Sequence, residues 1–217
     1  MSLNKFLEES IVKSQRCQRN WNLNKSIPIE DIETMKMSVT QCMSKQNRVF
    51  YKVKFITNRD IIEKIHDGTS GARVFNTEGV YTDYTTSTNS QTLANLVVAF
   101  CEDIDKTDKK RFVTDASETD MKSRYFEQSL EIIDRDKYTS VGIASAYLTL
   151  TANMLGYSTG CCQCFDEIEI GKILKEDKVL LIIGIGYSDE NKSRLEHHIS
   201  GKFYPSISKT IDVEDIE

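Results

Sequence analysis

The most constraining feature of this sequence is a long stretch near its centre that carries no charged residue. No Asp, Glu, Lys or Arg lies between Lys137 and Asp166, although these four residue types make up 28% of the 217-residue chain. Residues 141–155 are rich in Ala and Leu, with Ser, Thr and Asn as polar interruptions, which predicts a helix that is apolar on nearly every side. Such a helix is buried all round, in a large core or against a partner subunit. Gly156 predicts its end, and the small residues at 160–163 would let a backbone or a ligand come close.

A transmembrane helix and a core helix without any functional role are the two alternatives for this stretch. A membrane span needs about 20 predominantly apolar residues. Here Ser145, Thr149, Thr151 and Asn153 interrupt the apolar pattern, and glycines follow directly. We therefore expect that the chain does not enter a membrane.

Composition bounds the kind of protein. The formal net charge is -5 and the pI is about 5.4. Because nucleic acids and anionic membranes select basic surfaces, we expect no nucleic-acid partner. The length is enough for one sizeable domain or at most two small ones, and we predict a single domain over residues 1–217. Six cysteines are present and the N-terminal segment is charged rather than signal-like, so we expect a cytoplasmic protein with reduced thiols.

The spacing of apolar residues predicts a mixture of helices with a few central strands. Helices are predicted at 4–14, after Pro28, and at 60–66, 121–134, 141–155 and 168–174. Strands are predicted at 49–56, 96–101 and 179–187, of which the last two resemble strands covered on both faces. This pattern indicates an α+β fold or an α/β sandwich rather than a helix bundle.

Two long segments lack a regular pattern. Residues 68–90 predict an irregular connection, and the charged residues at 102–125 predict a surface loop or lid. His66, at the end of a predicted short helix, is expected to be a surface residue rather than a catalyst.

Arg16, Cys17 and Arg19 form the first candidate site. Two guanidinium groups three residues apart suit an anion, because Arg donates hydrogen bonds in a fork that matches phosphate geometry. A solvated basic surface is the alternative.

The CCQC segment at 161–164 is the second candidate. Structural zinc normally takes two cysteine pairs, and the sequence has no second pair, so buried or loop thiols are expected and no metal is predicted. The sequence also lacks a GxGxxG after a strand, a GxxxxGK[ST] and an HExxH. No pair of nucleophile and base can be nominated from the sequence.

Four motifs follow one another along the chain. The first is Gln15 to Trp21, in the pattern of two basic residues, Ser, any residue, a basic residue, any residue and an aromatic. Gln15 stands at the first basic position and Cys17 at the Ser position. The second places Ser44, Asn47 and Tyr51 where an alanine-proline-serine stretch is followed by Asn and an aromatic, although its prolines are missing.

The third motif is an Asn or Gln shortly before a buried strand, represented by Asn89 and Gln91. The fourth is a helix rich in small residues, a Gly, a short loop, Phe165 with Asp166, and a buried strand that ends in Gly-Tyr. In this order the motifs resemble the nitroreductase family of flavin enzymes. The resemblance extends from about residue 5 to the end of the chain.

The resemblance implies an α+β fold with a central, mostly antiparallel sheet flanked by helices, and a long buried central helix at the interface of a homodimer. It implies bound FMN, with the phosphate and ribityl chain held by Arg16, Cys17 and Arg19. The remaining cofactor-binding residues that it implies are Ser44 and Asn47 from the other subunit, Asn89 with Gln91 as a substitute, Gln163, Cys164 and Lys209. Tyr125 and Phe126 would line the substrate pocket.

The activity implied by the resemblance is oxidation of NADH or NADPH coupled, by a ping-pong scheme, to reduction of a nitroaromatic, quinone or related small-molecule acceptor. A cofactor that carries the redox step also explains why no nucleophile is evident. Two other functions stay open from the sequence. One is a flavin-binding carrier or interaction protein on the same fold, and the other is a thiol metal site.

Overall fold

A computed structural model of the chain describes residues 2–47, 49–70, 88–103, 124–196, 198, 203 and 211–216, without the side chains of 46 and 124–130. Its helices are α1 Leu3–Ser14, α2 Ile29–Thr40, α3 Arg59–Asp67, α4 Arg124–Met154 and α5 Glu167–Leu174. Its strands are β1 Tyr51–Ile56, β2 Leu96–Glu102, β3 Ser158–Cys162 and β4 Val179–Gly186. Short 3-10 helices span Lys45–Asn47 and Ser90–Thr92.

Local capping signals explain where several helices begin. The side chain of Ser2 accepts a hydrogen bond from the Lys5 amide at the start of α1, and Asn58 caps α3 in the same way. Asp166 caps α5 through two backbone amides. Such side chains satisfy backbone N–H groups that the first helical turn leaves unpaired. Pro28 precedes α2, as predicted from the sequence.

The strands form one antiparallel sheet in the order β1-β2-β4-β3. The two central strands are β2 and β4. Every residue of β4 is buried, and so is every residue of β2 except Glu102. This confirms the prediction of two strands that are covered on both faces. The predicted α+β fold with an antiparallel sheet flanked by helices is also confirmed.

The two faces of the sheet carry separate hydrophobic clusters. One cluster joins α2 and α4 to the sheet, and it includes Met35, Leu148 and Ile183. The other joins α3 and α5 to the opposite face, and it includes Ile65 and Ile170. The helices therefore cover both faces of the sheet, which leaves the edges formed by β1 and β3 for other contacts.

The central helix α4 is longer than predicted, because the expected break between 134 and 141 does not exist. Its 31 residues form one continuous helix. The charged section in its middle stays helical because Lys137, which is 2% exposed, forms ion pairs with Asp134 and with Glu102 at the end of β2. The prediction of two separate helices is wrong for this reason.

Within one chain, α4 is buried on one side only. Val141, Ala144 and Leu148 face the core, whereas Ala146 and Tyr147 are exposed. The opposite side of the helix carries apolar side chains that none of the described residues covers. None of the helices in the described ranges is long and apolar enough to span a membrane.

The predicted lid and the predicted long connection fall largely outside the described residues. Only 102, 103, 124 and 125 of the lid are described, and only the two ends of the connection, 68–70 and 88–90. The arrangement as a single domain over residues 1–217 stays a prediction.

Candidate functional site

The segment that contains the predicted anion site lies along the outer edge of the sheet. Cys17 forms a parallel bridge with Thr159 of β3, and the Gln18 amide donates to the Thr159 carbonyl over 2.8 Å. Four residues later, Trp21 pairs with Ser188 beyond the end of β4. The segment is thus fixed at both ends to the sheet.

The two arginines of this segment differ in their surroundings. Arg16 is exposed, whereas Arg19 is half-buried and its Nη1 lies 3.5 Å from the Arg194 carbonyl oxygen. Cys17 between them is half-buried. Contacts with β3 and with the chain beyond β4 therefore place Cys17 and Arg19 at one corner of the sheet, and Arg16 directly precedes them in the chain.

Two buried amide side chains that sequence reasoning missed hold this segment in shape. Gln18 Oε1 accepts from the backbone amides of Arg19 and Asn20 over 2.9 and 3.1 Å. Asn20 Nδ2 donates to the carbonyl oxygens of Ser193 and Glu196 over 2.7 and 2.9 Å. Their burial could have been suspected only from the tertiary structure, because polar residues in a polar segment carry no periodic signal.

The loop with Asn89 and Gln91 packs against the same corner. Asn89 caps the 3-10 helix Ser90–Thr92 by accepting from the Gln91 amide over 3.1 Å. Trp21 Nε1 donates to the Ser90 carbonyl over 2.8 Å. The aromatic residue of the first motif therefore ties the arginine segment to this loop.

Glycines in β3 and β4 allow the loop to lie directly on the sheet. A Cβ atom on Gly160 would stand 2.6 Å from the Gln18 carbonyl oxygen and 3.0 Å from Gln91 Cβ. A Cβ atom on Gly184 would stand 1.9 Å from the Gln91 carbonyl oxygen. No side chain fits at either position. Glycines two residues apart in a buried strand, Gly184 and Gly186, are the sequence signal that could have revealed this contact.

The loop after β3 joins the same corner through residues 68–70. The Ser70 amide donates to the Cys164 carbonyl over 2.9 Å, and Thr69 Oγ1 accepts from the Asn89 amide over 2.7 Å. Gln163 and Cys164 are exposed directly after β3. We call residues 16–22, 68–70, 88–92 and 159–165 together the cradle.

Backbone donors are available at the outer edge of β3. The carbonyl of Thr159 points away from β4, toward Gln18. Because a strand alternates its backbone groups, the amide of Cys161 also faces away from β4. The GCCQC segment, predicted as a loop, is only partly a loop. It belongs to the edge strand β3 as far as Cys162, and a loop begins at Gln163.

Cys162 is the buried thiol of the cradle. It accepts from Asn89 Nδ2 over 3.2 Å and lies 3.7 Å from the Cys164 carbonyl oxygen, to which it donates. Burial raises the pKa of Cys162 to about 12, so the thiol stays protonated at neutral pH. All six cysteines are free thiols. Among the described residues, no three His, Cys, Asp or Glu side chains are arranged to hold a metal ion.

Ser44 and Asn47 do not reach the cradle of their own chain. They lie at the 3-10 helix before β1, and β1 and β3 are the two opposite edges of the sheet. β1 begins beside the end of β2, and β3 begins beside the end of β4. Because β2 and β4 are antiparallel, these positions also lie at opposite ends of the sheet. The expectation that both residues act from another subunit stays a prediction.

Three other predicted site residues have no described side chain. Lys209 lies outside the described residues. Tyr125 and Phe126 lie in the first turn of α4, in the part of the helix whose side chains are not described.

The prediction that His66 lies at the surface is wrong. Its exposed fraction is 9%, and its ring packs edge-on against His198 with 5.3 Å between ring centroids. Burial lowers the pKa of His66, which favours the neutral ring. The sequence gave no sign of this burial, because the burial depends on how the last turn of α3 packs inward against other parts of the chain.

Comparisons with known proteins identify the fold. No protein-family model matches the sequence, and no curated protein matches it. Solved structures do match. A nitroreductase-like protein from Streptococcus mutans is 16% identical, with a TM-score of 0.62 and 100% of each chain covered.

Two further structures agree with the first. A protein from Staphylococcus epidermidis, proposed to be an NAD(P)H:FMN oxidoreductase, is 16% identical with a TM-score of 0.61, covering 94% of this chain and 92% of that one. A protein from Exiguobacterium sibiricum in complex with FMN, proposed to be a nitroreductase, is 16% identical with a TM-score of 0.58, covering 93% and 92%. The chain therefore has a nitroreductase-like fold, as its motifs indicated.

Proposed function

We propose that this chain is an FMN-dependent oxidoreductase that takes electrons from NADH or NADPH and reduces a nitroaromatic, quinone or related acceptor. The observation that carries the proposal is the cradle. At one corner of a nitroreductase-like fold it gathers the segment with Arg16 and Arg19, the carboxamide side chains of Asn89 and Gln91, and the outer edge of β3. The Exiguobacterium sibiricum neighbour with the same fold binds FMN, which supports the choice of cofactor.

The chemistry of the cradle fits FMN at its phosphate end. Arg16 is exposed and Arg19 is half-buried, so both can pair with a dianionic phosphate. Charge-assisted hydrogen bonds from Arg to phosphate are among the strongest that a protein surface offers. Gln18 holds the backbone of this segment in place, so the guanidinium groups are presented on a rigid support.

The cradle also fits the polar edge of a planar ring. Gln91 lies beside Gly160, Asn89 is hydrogen-bonded to Gln91 and to Cys162, and the loop after β3 begins at Gln163. Together they offer side-chain amide groups and backbone N–H donors, which is the set that a flavin ring with several carbonyl and nitrogen acceptors requires.

FMN would supply the hydride chemistry when bound, and the protein would supply binding and orientation. The protonated state of Cys162 agrees with this division, because its raised pKa leaves no thiolate to act as a nucleophile. NAD(P)H and the acceptor would then use one pocket in turn.

The proposed active form is a homodimer. The exposed side of α4 carries Ala146 and Tyr147, a small and a large apolar residue on a face that the described part of one chain leaves exposed. A symmetric contact through this face would bury it. It would also allow Ser44 and Asn47 of one subunit to complete the cradle of the other.

A spectrum of the purified protein tests the proposal. We expect flavin absorbance, or uptake of added FMN, and bleaching of that absorbance by NADH or NADPH without oxygen. With a quinone or nitroaromatic acceptor, initial rates should follow ping-pong kinetics. Protein that takes up no FMN would contradict the proposal. Bound flavin that neither nicotinamide reduces would instead support a flavin-binding carrier.

A further inference from the structure

Two segments that support the cradle meet at a pair of histidine rings. His66 lies in the last turn of α3, and His198 lies in the chain beyond β4. Their rings pack edge-on, with 5.3 Å between ring centroids. His66 is 9% exposed, and its Nε2 atom is buried with no hydrogen-bond partner among the described residues. We call His66 and His198 the histidine pair, and it joins α3 to the segment beyond β4 through two titratable rings.

On the α3 side, the histidine pair is connected to the cradle through Thr69. The amide and the Oγ1 atom of Thr69 both donate to the His66 carbonyl oxygen, over 3.0 and 2.6 Å. Thr69 Oγ1 in turn accepts from the Asn89 amide over 2.7 Å. The last turn of α3 is therefore hydrogen-bonded directly to the cradle.

On the other side, His198 lies two residues beyond the segment 193–196, which braces the arginine segment. Asn20 Nδ2 donates to two carbonyl oxygens of residues 193–196, over 2.7 and 2.9 Å. Arg19 Nη1 lies 3.5 Å from a third carbonyl oxygen of the same residues. Because the contact between His198 and His66 helps to hold this segment against α3, it also supports Arg19.

A proton on His66 would be poorly compensated. Among the described residues, the charged or titratable groups near it are Arg59, Glu63 and Asp67 on α3, Glu169 of α5, which lies beside Gly68, and His198. The 3-10 helix Ser90–Thr92, which also packs against α3, has no charged residue.

The nearest carboxylate gives little help. Asp67 Oδ1 lies 3.4 Å from His66 Nδ1, but the Asp67 side chain is 77% exposed, so water screens its charge. Burial, and to a smaller extent the Arg59 charge, lowers the pKa of His66 below its usual value of 6.5. The packed arrangement of the two rings therefore favours a neutral His66.

We propose that the histidine pair is a pH-sensitive contact, which holds the cradle together at neutral pH and opens when His66 takes up a proton in mild acid. The proton places a cation in a buried site beside Arg59 and a second imidazole. Separation of residues 193–198 from α3 lets water reach that cation. The arginine segment then loses its brace, and its affinity for an anion falls. The inference rests on the proposed function only in taking FMN as the anion.

Acid should weaken anion binding over a defined pH range. His66 binds a proton more tightly in the open state, where its pKa is near the usual 6.5, than in the closed state, where the pKa is lower. The closed state is therefore fully favoured above pH about 6.5 and loses stability as the pH falls below that value. One proton taken up between pH 6.5 and 5.0 weakens anion binding by at most about 30-fold.

The direct test measures the FMN affinity of the full chain between pH 7.5 and pH 5.0. The wild type should lose about 3- to 30-fold in affinity over this range. His66→Phe keeps an aromatic ring but takes up no proton, so it should match the wild type at pH 7.5 and bind FMN more tightly than the wild type at pH 5.0. A phosphate monoester itself takes up a proton near pH about 6. This effect is common to both proteins, so the difference between them isolates His66.

His197→Gln, which changes the only other histidine of the chain, is the control and should follow the wild type at every pH. Melting temperatures at pH 7.5 show whether each variant folds. His66→Leu, which also lacks a titratable group, takes the place of His66→Phe if the latter does not fold.

A second measurement needs no flavin. Trp21 is the only tryptophan of the chain, and its Nε1 donates to the Ser90 carbonyl, so its fluorescence reports on the arginine segment. In the flavin-free full chain this fluorescence should change as the pH falls from 7.5 to 5.0, with a midpoint below pH 6.5. His66→Phe should abolish the change, and His197→Gln should keep it.

Asn20→Ala tests the connection between the histidine pair and the arginine segment. This variant removes two hydrogen bonds of the brace, so it should bind FMN more weakly at pH 7.5. Acid should then weaken binding by a smaller factor than in the wild type, because the brace is already loosened. A pH effect as large as that of the wild type would overturn the connection through Asn20.

The outcomes separate this inference from the proposed function. A wild-type protein that binds no FMN overturns the proposed function, and Trp21 fluorescence then decides the role of the histidine pair by itself. A wild-type protein that binds FMN, with the same pH dependence as His66→Phe, overturns the histidine pair alone. A pH dependence that is lost in His197→Gln but kept in His66→Phe would overturn it as well.

Discussion

Most polar side chains of the cradle are engaged in holding its backbone. Gln18 bonds to backbone amides of its own segment, whereas Asn20 and Trp21 bond to backbone carbonyls of other segments. Asn89 is fully used by its neighbours. The groups in this segment whose charge would attract an anion are the guanidinium groups of Arg16, which is exposed, and Arg19, which is half-buried. Single residues here divide into those that build the cradle and those that can meet a ligand.

Arg19→Gln tests whether the cradle binds a phosphate. We expect FMN affinity to fall by about tenfold or more, because a charge-assisted hydrogen bond contributes roughly 1.5–3 kcal/mol. Riboflavin, which lacks the phosphate, should bind the wild type and the variant equally. Both affinities can be measured by quenching of flavin fluorescence. Arg135→Gln, which removes an exposed arginine of α4, is the control. Equal losses for FMN and riboflavin would contradict the phosphate role.

At the scale of secondary-structure elements, buried ion pairs join helices and loops to the sheet. Lys137 of α4 is paired with Glu102 at the end of β2. At the sheet edge formed by β1, the Glu176 carboxylate lies between Lys52 and Lys54. Its oxygens are 2.7 and 2.6 Å from the two Nζ atoms. Glu176 follows α5, so this second cluster attaches the segment before β4 to β1.

Glu176 should make the fold sensitive to acid. Its side chain is 7% exposed, and although burial opposes ionisation, hydrogen bonds from Lys52 and Lys54 hold the pKa of Glu176 below its usual value of 4.5. The stability from this pair is present above pH about 4.5 and is lost as the pH falls through the lower pKa of the folded state.

Chemical unfolding between pH 7 and pH 3 measures the effect. Glu176→Gln should cost about 1–3 kcal/mol at pH 7, a moderate value because both lysines are partly exposed. The difference from the wild type should shrink toward pH 3. Glu190→Gln, at an exposed position, should change stability little at either pH. A difference that stays constant over this range would contradict the assignment.

At the scale of the whole molecule, two features remain incomplete in one chain. One is the apolar side of α4 that the described part of the chain does not cover. The other is the cradle, which Ser44 of the same chain does not reach. A homodimer would resolve both. Ala146→Glu and Tyr147→Glu should then produce monomers in sedimentation experiments and weaken FMN binding, whereas Ile168→Glu, at an exposed apolar position of α5, should not.

Complementation between subunits tests the shared site. Arg19→Gln and Asn47→Ala chains should each bind FMN poorly. After refolding of an equal mixture, half of the dimers contain one chain of each kind, and one of their two sites is intact. About a quarter of all sites should therefore recover. No recovery would show that Asn47 does not act across the interface.

Much of the fold could be predicted because its signals are local. The caps Asn58 and Asp166, Pro28 before α2, and the continuous apolar runs of β2 and β4 are read from neighbouring residues. The break expected before residue 141 was wrong, because a distant partner, Glu102, neutralises Lys137. The burial of His66 was also missed, because its ring packs against His198, a residue far away in sequence.

The order of motifs in the sequence by itself determined the type of fold and the candidates for the anion site, since residue types and spacing carry that information. Only the tertiary structure decided which candidates meet. It placed the segment of Arg19 and the loop of Asn89 and Gln91 against β3, packed Gln91 against Gly160, and left Ser44 and Asn47 at the opposite edge of the sheet. The physical reason is that these segments are held together by hydrogen bonds between residues far apart in sequence, such as Trp21 with Ser90 and Asn89 with Cys162, which no local pattern records.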